Sequence, residues 1–223
     1  MNFGIPDDAV ALADYARLAA GYDESCRPLA PIREEAVALL GLRRGDDVLD
    51  VACGTGLSFP LLHAATGGAG SVVGVDLSPD MCDQARARAA TLDPERILVV
   101  QGSAAEADFG ATRFDAVLFH YTHDVLRGPA ALANLFAYVK PGARVAVAGF
   151  KSAPGWALPL NLFSMFRARR YVSTFEGVVE PWSHLLCWTP DFRWRSRLAG
   201  TGYVGWGHRA AASTTPPPSA PRP

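Results

Sequence analysis

Two acids and two glycines are the first residues of this chain whose types and spacing suggest chemistry. Residues 48–58 read VLDVACGTGLS, an apolar run that carries Asp50 and leads into Gly54 and Gly56. Val48, Leu49 and Val51 suit a buried parallel strand, and the glycines let the backbone turn sharply and approach a ligand. A second run, SVVGVD, ends at Asp76, 20 residues after Gly56. At that separation a strand–helix–strand unit sets an acid against a ribose, and an ionised carboxylate offers two oxygens to two neighbouring hydroxyls. The pattern points to an adenosine-type cofactor. A dinucleotide fingerprint needs a third glycine, where this chain has Leu57, Ser58 and Phe59, and no Gly-Lys-Ser/Thr phosphate loop occurs. Asp50, just before the turn, therefore faces a cationic rather than a pyrophosphate-bearing group.

A second concentration of chemistry is FHYTHDVL, which holds His120, Tyr121, His123 and Asp124 after an apolar run. A histidine at a strand end can serve as general base, and His120 is the first catalytic candidate. Tyr121 and His123 are expected at the substrate mouth. His123 and Asp124 are adjacent, so their side chains point apart, and no GxSxG elbow supports a hydrolase. Residues 151–191 carry three of the five tryptophans. From this segment Tyr171, Glu176, Trp182, His184 and Trp188 are candidates to line a pocket, with aromatic walls suited to a planar or cationic acceptor. Arg167, Arg169 and Arg170 could meet an acidic substrate; by default they are a solvated helix face.

Alternating elements must position these groups. Residues 8–42 read as two helices, the second with Pro31 near its start and Gly41 near its end. Strands are expected at 47–51, 71–76, 96–101, 114–119 and 143–149, with helices at 57–66, 79–91 and 129–139. Ser78, Pro79 and Asp80 mark a capped helix start. Strands separated by helices imply an α/β fold, a mainly parallel sheet with helices on both faces. The run FRWRSRLAGTGYVGWGHRA reads as a β-hairpin about a glycine turn. A single domain over 1–211 is expected, with a helical cap at 8–42 and a substrate lid at 151–191. The proline-rich end, 212–223, is expected to be disordered.

At 223 residues, 49% hydrophobic and 19% charged, the chain is expected to bury one substantial core. Its net charge of −1 gives no electrostatic reason to expect nucleic acid. Cys26, Cys53, Cys82 and Cys187 show no metal-ligand spacing, so no metal is expected and the setting is read as reducing and cytoplasmic. No apolar run reaches membrane-spanning length, and no signal peptide is evident at the N-terminus.

In order and spacing, the series DVACGTG, GVDLSPDM, QGSAAEADF, FDAVLFHYTHDVL and VKPGARVAV resembles the class I S-adenosylmethionine-dependent methyltransferases, especially the small-molecule branch typified by ubiquinone-biosynthesis enzymes. The resemblance covers about residues 10–150. It implies a Rossmann-like, doubly wound sheet of seven mostly parallel strands with an antiparallel last strand, and S-adenosylmethionine as cofactor. It also implies methyl transfer to the oxygen, nitrogen or carbon of a small molecule by in-line displacement. Carried over by motif, Asp50 and the backbone of Ala52, Gly54 and Gly56 face the methionine portion, Asp76 the ribose, Leu77 and Met81 the adenine faces, and Ser103 and Ala104 the adenine edge. Ala52 departs from the commoner glycine, and Ser103 from the commoner acid. YARLAAGYD resembles the tyrosine-rich opening of these enzymes, in which Tyr22, or Tyr15, closes over cofactor or substrate. A non-catalytic binding module and a nicotinamide-dependent oxidoreductase are the alternatives; the retained Asp50 and Asp76 oppose the first, the missing third glycine the second.

Overall fold

The computed structural model describes residues 21–169 and 172–211. The first expected helix with Tyr15, Arg170, Tyr171 and the segment 212–223 lie outside the described residues. Strands β1 (Val48–Val51), β2 (Val72–Asp76), β3 (Ile97–Gln101), β4 (Phe114–His120), β5 (Val139–Phe150), β6 (Arg193–Arg197) and β7 (Gly202–His208) form one seven-stranded sheet. Its order is β3-β2-β1-β4-β5-β7-β6. The first five strands pair in parallel, and β7 runs antiparallel to both β5 and β6. The expected doubly wound sheet is thus observed. Its strand order reverses between β1 and β4, where sheets of this kind open a ligand crevice at their carboxyl ends.

The helices are α1 (Tyr22–Cys26), α2 (Ala30–Leu39), α3 (Phe59–Ala65), α4 (Pro79–Leu92), α5 (His123–Leu126), α6 (Pro129–Ala137) and α7 (Leu158–Ala168). Side chains alternate across each strand, and the sheet consequently has two apolar faces. Leu49, Val51, Val117 and Phe119 pack with Leu132 and Phe136 of α6. Val48, Ala116 and Leu118 pack on the other face with Ile32, Ala36 and Leu40 of α2 and Phe59 and Leu62 of α3. Asp50 shares the alternation of Val48, and His120 that of Leu118, so both project toward α2.

Boundaries differ from expectation where local geometry intervenes. Gly54 and Gly56 both have positive φ, at 56° and 76°. They carry the chain through a turn closed by Phe59 N–H donating to the Gly56 carbonyl at 3.0 Å, so α3 begins at Phe59 rather than 57. β5 starts at Val139 rather than 143, because pairing with β4 resumes across the irregularity at Lys140–Ala143. Helix α5 was not foreseen; four residues give no period to read. Ser78 Oγ accepts from Met81 N–H at 3.4 Å, the expected cap of α4. The hairpin β6–β7 turns at Leu198–Gly200, with Ala199 at φ 52°.

Candidate functional site

The donor-loop architecture hangs on Asp76. Its Oδ2 accepts from Gly54 N–H at 2.8 Å and its Oδ1 from Ser78 N–H at 2.9 Å, so one carboxylate ties the turn after β1 to the turn after β2. Burial raises its pKa despite these bonds, because removal from water penalises the charged form. Asp50 is 1% exposed, and its Oδ2 is buried without a hydrogen-bond partner. Burial, opposed by the charge of Arg33, lifts its carboxyl from 3.8 to about 7. Ala52 holds φ 48°, a left-handed geometry that costs a residue with a Cβ about 1 kcal/mol. Leu77 is half-buried beside Asp76, and Met81, 1% exposed, lies on the buried face of α4. Ser103 and Ala104 follow β3, where the Ala104 carbonyl accepts from Asn134 Nδ2 at 3.1 Å.

The N-terminal segment is clamped onto this loop. Thr55 Oγ1 donates to Asp23 at 2.6 Å, Arg88 pairs with the same carboxylate at 2.6 Å, and Arg88 also donates to the Thr55 carbonyl. Asp23 follows Tyr22, so the clamp sets the Tyr22 ring over the loop. A Cβ added to Gly54 would lie 3.5 Å from Tyr22 Cε1.

Beside this junction lies a cavity of about 390 Å³. Tyr22, Arg33, His120 and Tyr121 line it together with Phe163, Val172 and Leu198. Tyr121 has φ 60°, a reversal that swings the chain out of β4 and leaves both His120 and Tyr121 on the cavity. His120 Nε2 is buried without a hydrogen-bond partner. Burial, reinforced by the Arg33 charge, holds its imidazole at about 3. It is therefore neutral through the physiological range, and lacks the near-neutral pKa that favours proton transfer. The sequence expectation of a general base is weakened by this environment, which leaves His120 as a hydrogen-bonding imidazole.

Among the described residues, the other expected substrate residues His123, Glu176, Trp182 and Trp188 are not gathered on this cavity. His123 is buried, its Nε2 3.0 Å from the Glu176 carbonyl and its ring against Phe150. Burial takes it to about 4. Asp124 accepts from Ser173 N–H at 2.7 Å rather than pairing with His123. Glu176 is exposed and pairs with Arg127 at 3.4 Å. Trp182 is 4% exposed and packs on Trp194 and Tyr203, while Trp188 stacks on Phe136 at 5.0 Å. Residues 173–192 are thus pinned to α5 and the core, whereas α7 reaches the cavity through Leu160, Phe163 and Ser164. Arg169 sits over the Phe166 ring at 4.0 Å. His184 is half-buried, and burial lowers its pKa.

Sequence reasoning missed Arg33 and the Asp23–Thr55–Arg88 clamp. Arg33 had a signal: it occupies the buried stripe of α2 with Ile32, Ala36 and Val37, where a charge breaks the pattern. The clamp joins positions 32 and 33 residues apart, and no local pattern reports such a contact.

Comparison with known proteins agrees with this geometry. The profile of the family described as Methyltransferase domain matches residues 48–142. A demethylmenaquinone methyltransferase of Listeria monocytogenes is 27% identical over 193 residues, covering 82% of this chain and 81% of the relative. Another, from Symbiobacterium thermophilum, is 37% identical over 113 residues, 49% of this chain and 45% of that one. The solved geranyl diphosphate C-methyltransferase of Streptomyces coelicolor has the same fold, with TM-score 0.63 and 16% identity over 95% of this chain and 92% of that one. Residues 48–142 match a methyltransferase domain, and the activity supported is S-adenosylmethionine-dependent methyl transfer. The chain is similar to the demethylmenaquinone methyltransferases, and its cofactor is S-adenosylmethionine. No helix among the described residues is long and apolar enough to cross a membrane. No group of three or more His, Cys, Asp or Glu among them could hold a metal ion.

Proposed function

We propose that the protein methylates a small, largely apolar acceptor held in the cavity beside the donor loop. The observation that carries this reading is the shared wall: Tyr22 lies against Gly54 of the loop and also lines the cavity. The orphaned Asp50 oxygen fits the ammonium group of the donor's methionine portion, and Asp76 fits its ribose. The backbone of Ala52, Gly54 and Gly56 borders the methionine portion, and Leu77, Met81, Ser103 and Ala104 border the adenine. The donor supplies an electrophilic methyl on a sulfonium, leaving as S-adenosylhomocysteine. The protein's part is alignment and exclusion of water. His120 and Tyr121 orient the accepting atom, with Tyr22 closing the donor side and α7 the outer side.

The relatives' name makes a demethylated quinol the first acceptor to test, ahead of other oxygen, nitrogen or carbon nucleophiles. A small molecule is favoured over nucleic acid by the net charge of −1. The four free cysteines support a reducing, cytoplasmic setting. Two measurements test the reading: S-adenosylhomocysteine binding by calorimetry, and transfer of a labelled methyl from the donor to a panel of quinols, phenols and amines. His120→Ala should lower turnover about 100-fold, the loss expected when a reacting atom is no longer positioned, while leaving S-adenosylhomocysteine affinity within threefold. Equal turnover with and without His120 would remove it from the site.

A further inference from the structure

We infer that Arg33, with His120 and Tyr121, forms an oxyanion subsite on the lining of the cavity, so that the acceptor is an apolar molecule carrying one anionic oxygen group. This rests on the reading of the cavity as the acceptor site. Arg33 is 7% exposed and lines the cavity. Its Nε is buried with no hydrogen-bond partner, and among the described residues no carboxylate lies within the 4.0 Å of an ion pair. A buried, unpaired guanidinium is costly to a fold. Its neighbours repeat the pattern: His120 Nε2 and Tyr121 Oη are also buried without partners, and both residues line the same cavity. Three residues with buried, unpartnered polar atoms thus line one cavity whose remaining lining is largely apolar.

The chemistry of the three groups selects the ligand. A guanidinium donates only, a phenol donates readily, and a neutral imidazole donates from one nitrogen. Together they suit an oxygen anion, and planar guanidinium is the cation best matched to a carboxylate or related oxyanion. The donor's own carboxylate is the competing source of that charge. It is disfavoured because the donor-loop residues Asp50, Gly54, Gly56 and Asp76 do not line this cavity, whereas Phe163, Val172 and Leu198, remote from that loop in the chain, do. An acceptor that binds already ionised has no proton to give up at that oxygen, which agrees with a His120 imidazole too weakly basic to take one.

The test is calorimetric binding of 2-naphthoate and of its neutral isostere 2-naphthamide to protein saturated with S-adenosylhomocysteine. It is run at pH 8.5 so that Asp50 stays ionised. Wild type should bind the naphthoate at least tenfold more tightly, Arg33→Met should lose that discrimination, and Arg33→Lys should recover part of it. Thermal melts of all three proteins establish that each is folded. Equal affinity of wild type for the two probes would overturn the proposal. So would discrimination that survives Arg33→Met, or a loss of S-adenosylhomocysteine affinity in Arg33→Met without any naphthoate preference in wild type, which would assign Arg33 to the donor carboxylate. If wild type fails to bind S-adenosylhomocysteine, the donor assignment fails separately, and the same probe comparison without it still decides the role of Arg33.

Discussion

Replacing Asp50 with asparagine should make the ligand-free protein more stable and its donor binding weaker, effects of opposite sign from one substitution. In the folded chain the carboxyl titrates near 7 instead of 3.8, chiefly because it is buried. Between those values the folded state keeps a proton that the unfolded chain has released, so stability falls as pH rises through the interval. The full displacement is worth about 4 kcal/mol as a ceiling, at about 1.4 kcal/mol per tenfold change in acidity. Asparagine removes that penalty but leaves its own amide beside the partnerless Oδ2 position, which costs about 2 kcal/mol. The net expectation is a gain of about 2 kcal/mol at pH 8. At pH 5 the wild-type carboxyl is protonated when folded, its penalty is smaller by about 3 kcal/mol, and the gain disappears. Denaturant melts of both proteins at pH 8 and pH 5 measure this directly. Calorimetry should show S-adenosylhomocysteine affinity reduced about 30-fold, equivalent to about 2 kcal/mol. A variant less stable than wild type at pH 8, or one whose advantage is the same at both pH values, would refute the picture of a buried charge waiting for a cation.

Asp76→Asn should destabilise even the ligand-free protein by about 2 kcal/mol, because an amide cannot accept at both ends of the Gly54–Ser78 tie and charged hydrogen bonds are worth about 1.5–3 kcal/mol; chemical melts unchanged from wild type would dispose of that tie. The same variant should lose at least tenfold in S-adenosylhomocysteine affinity by calorimetry. Gly56→Ala should cost about 3 kcal/mol, since its Cβ would sit 2.6 Å from the fully buried Phe59 ring at φ 76°. Gly68→Ala, with a similar φ of 62° and only His63 at 3.6 Å, should cost about 1 kcal/mol, and equal losses in the two variants would show that the Phe59 contact is relieved cheaply.

Much of the sheet was legible because its signals are local: Val48–Val51 followed by Gly54 and Gly56, and Asp76 followed by Ser78 and Pro79, each declare a strand end and what comes after it. The cavity was only half legible. His120 and Tyr121 could be placed at the end of β4, but nothing local says whether a tryptophan in residues 151–191 faces a ligand or a neighbouring ring. Trp182 and Trp188 went to the core because aromatic burial there removes large apolar areas from water. Glu176 and His123 went to ties between α5 and the following chain, a tertiary outcome with no sequence period. Arg33 was readable in principle, as a charge on an apolar stripe, yet a long cation at such a position often snorkels to solvent. Only the packed structure shows that this one does not.

The placement of β7 between β5 and β6 sets an order of events during folding. Among the described strands β6 hydrogen-bonds to β7 alone, so Arg193–Arg197 has no place in the sheet until Gly202–His208, later in the chain, has docked on β5. Leu198 and Thr201, which lie in the connection between the two strands and line the cavity, are fixed at the same moment. On a growing chain the five parallel strands with the donor loop can assemble first, while the wall facing the acceptor closes only after synthesis has passed His208. An intermediate stalled before that point would hold a donor-loop scaffold with one side of its substrate chamber open to water, and an unpaired β5 edge exposed to other chains.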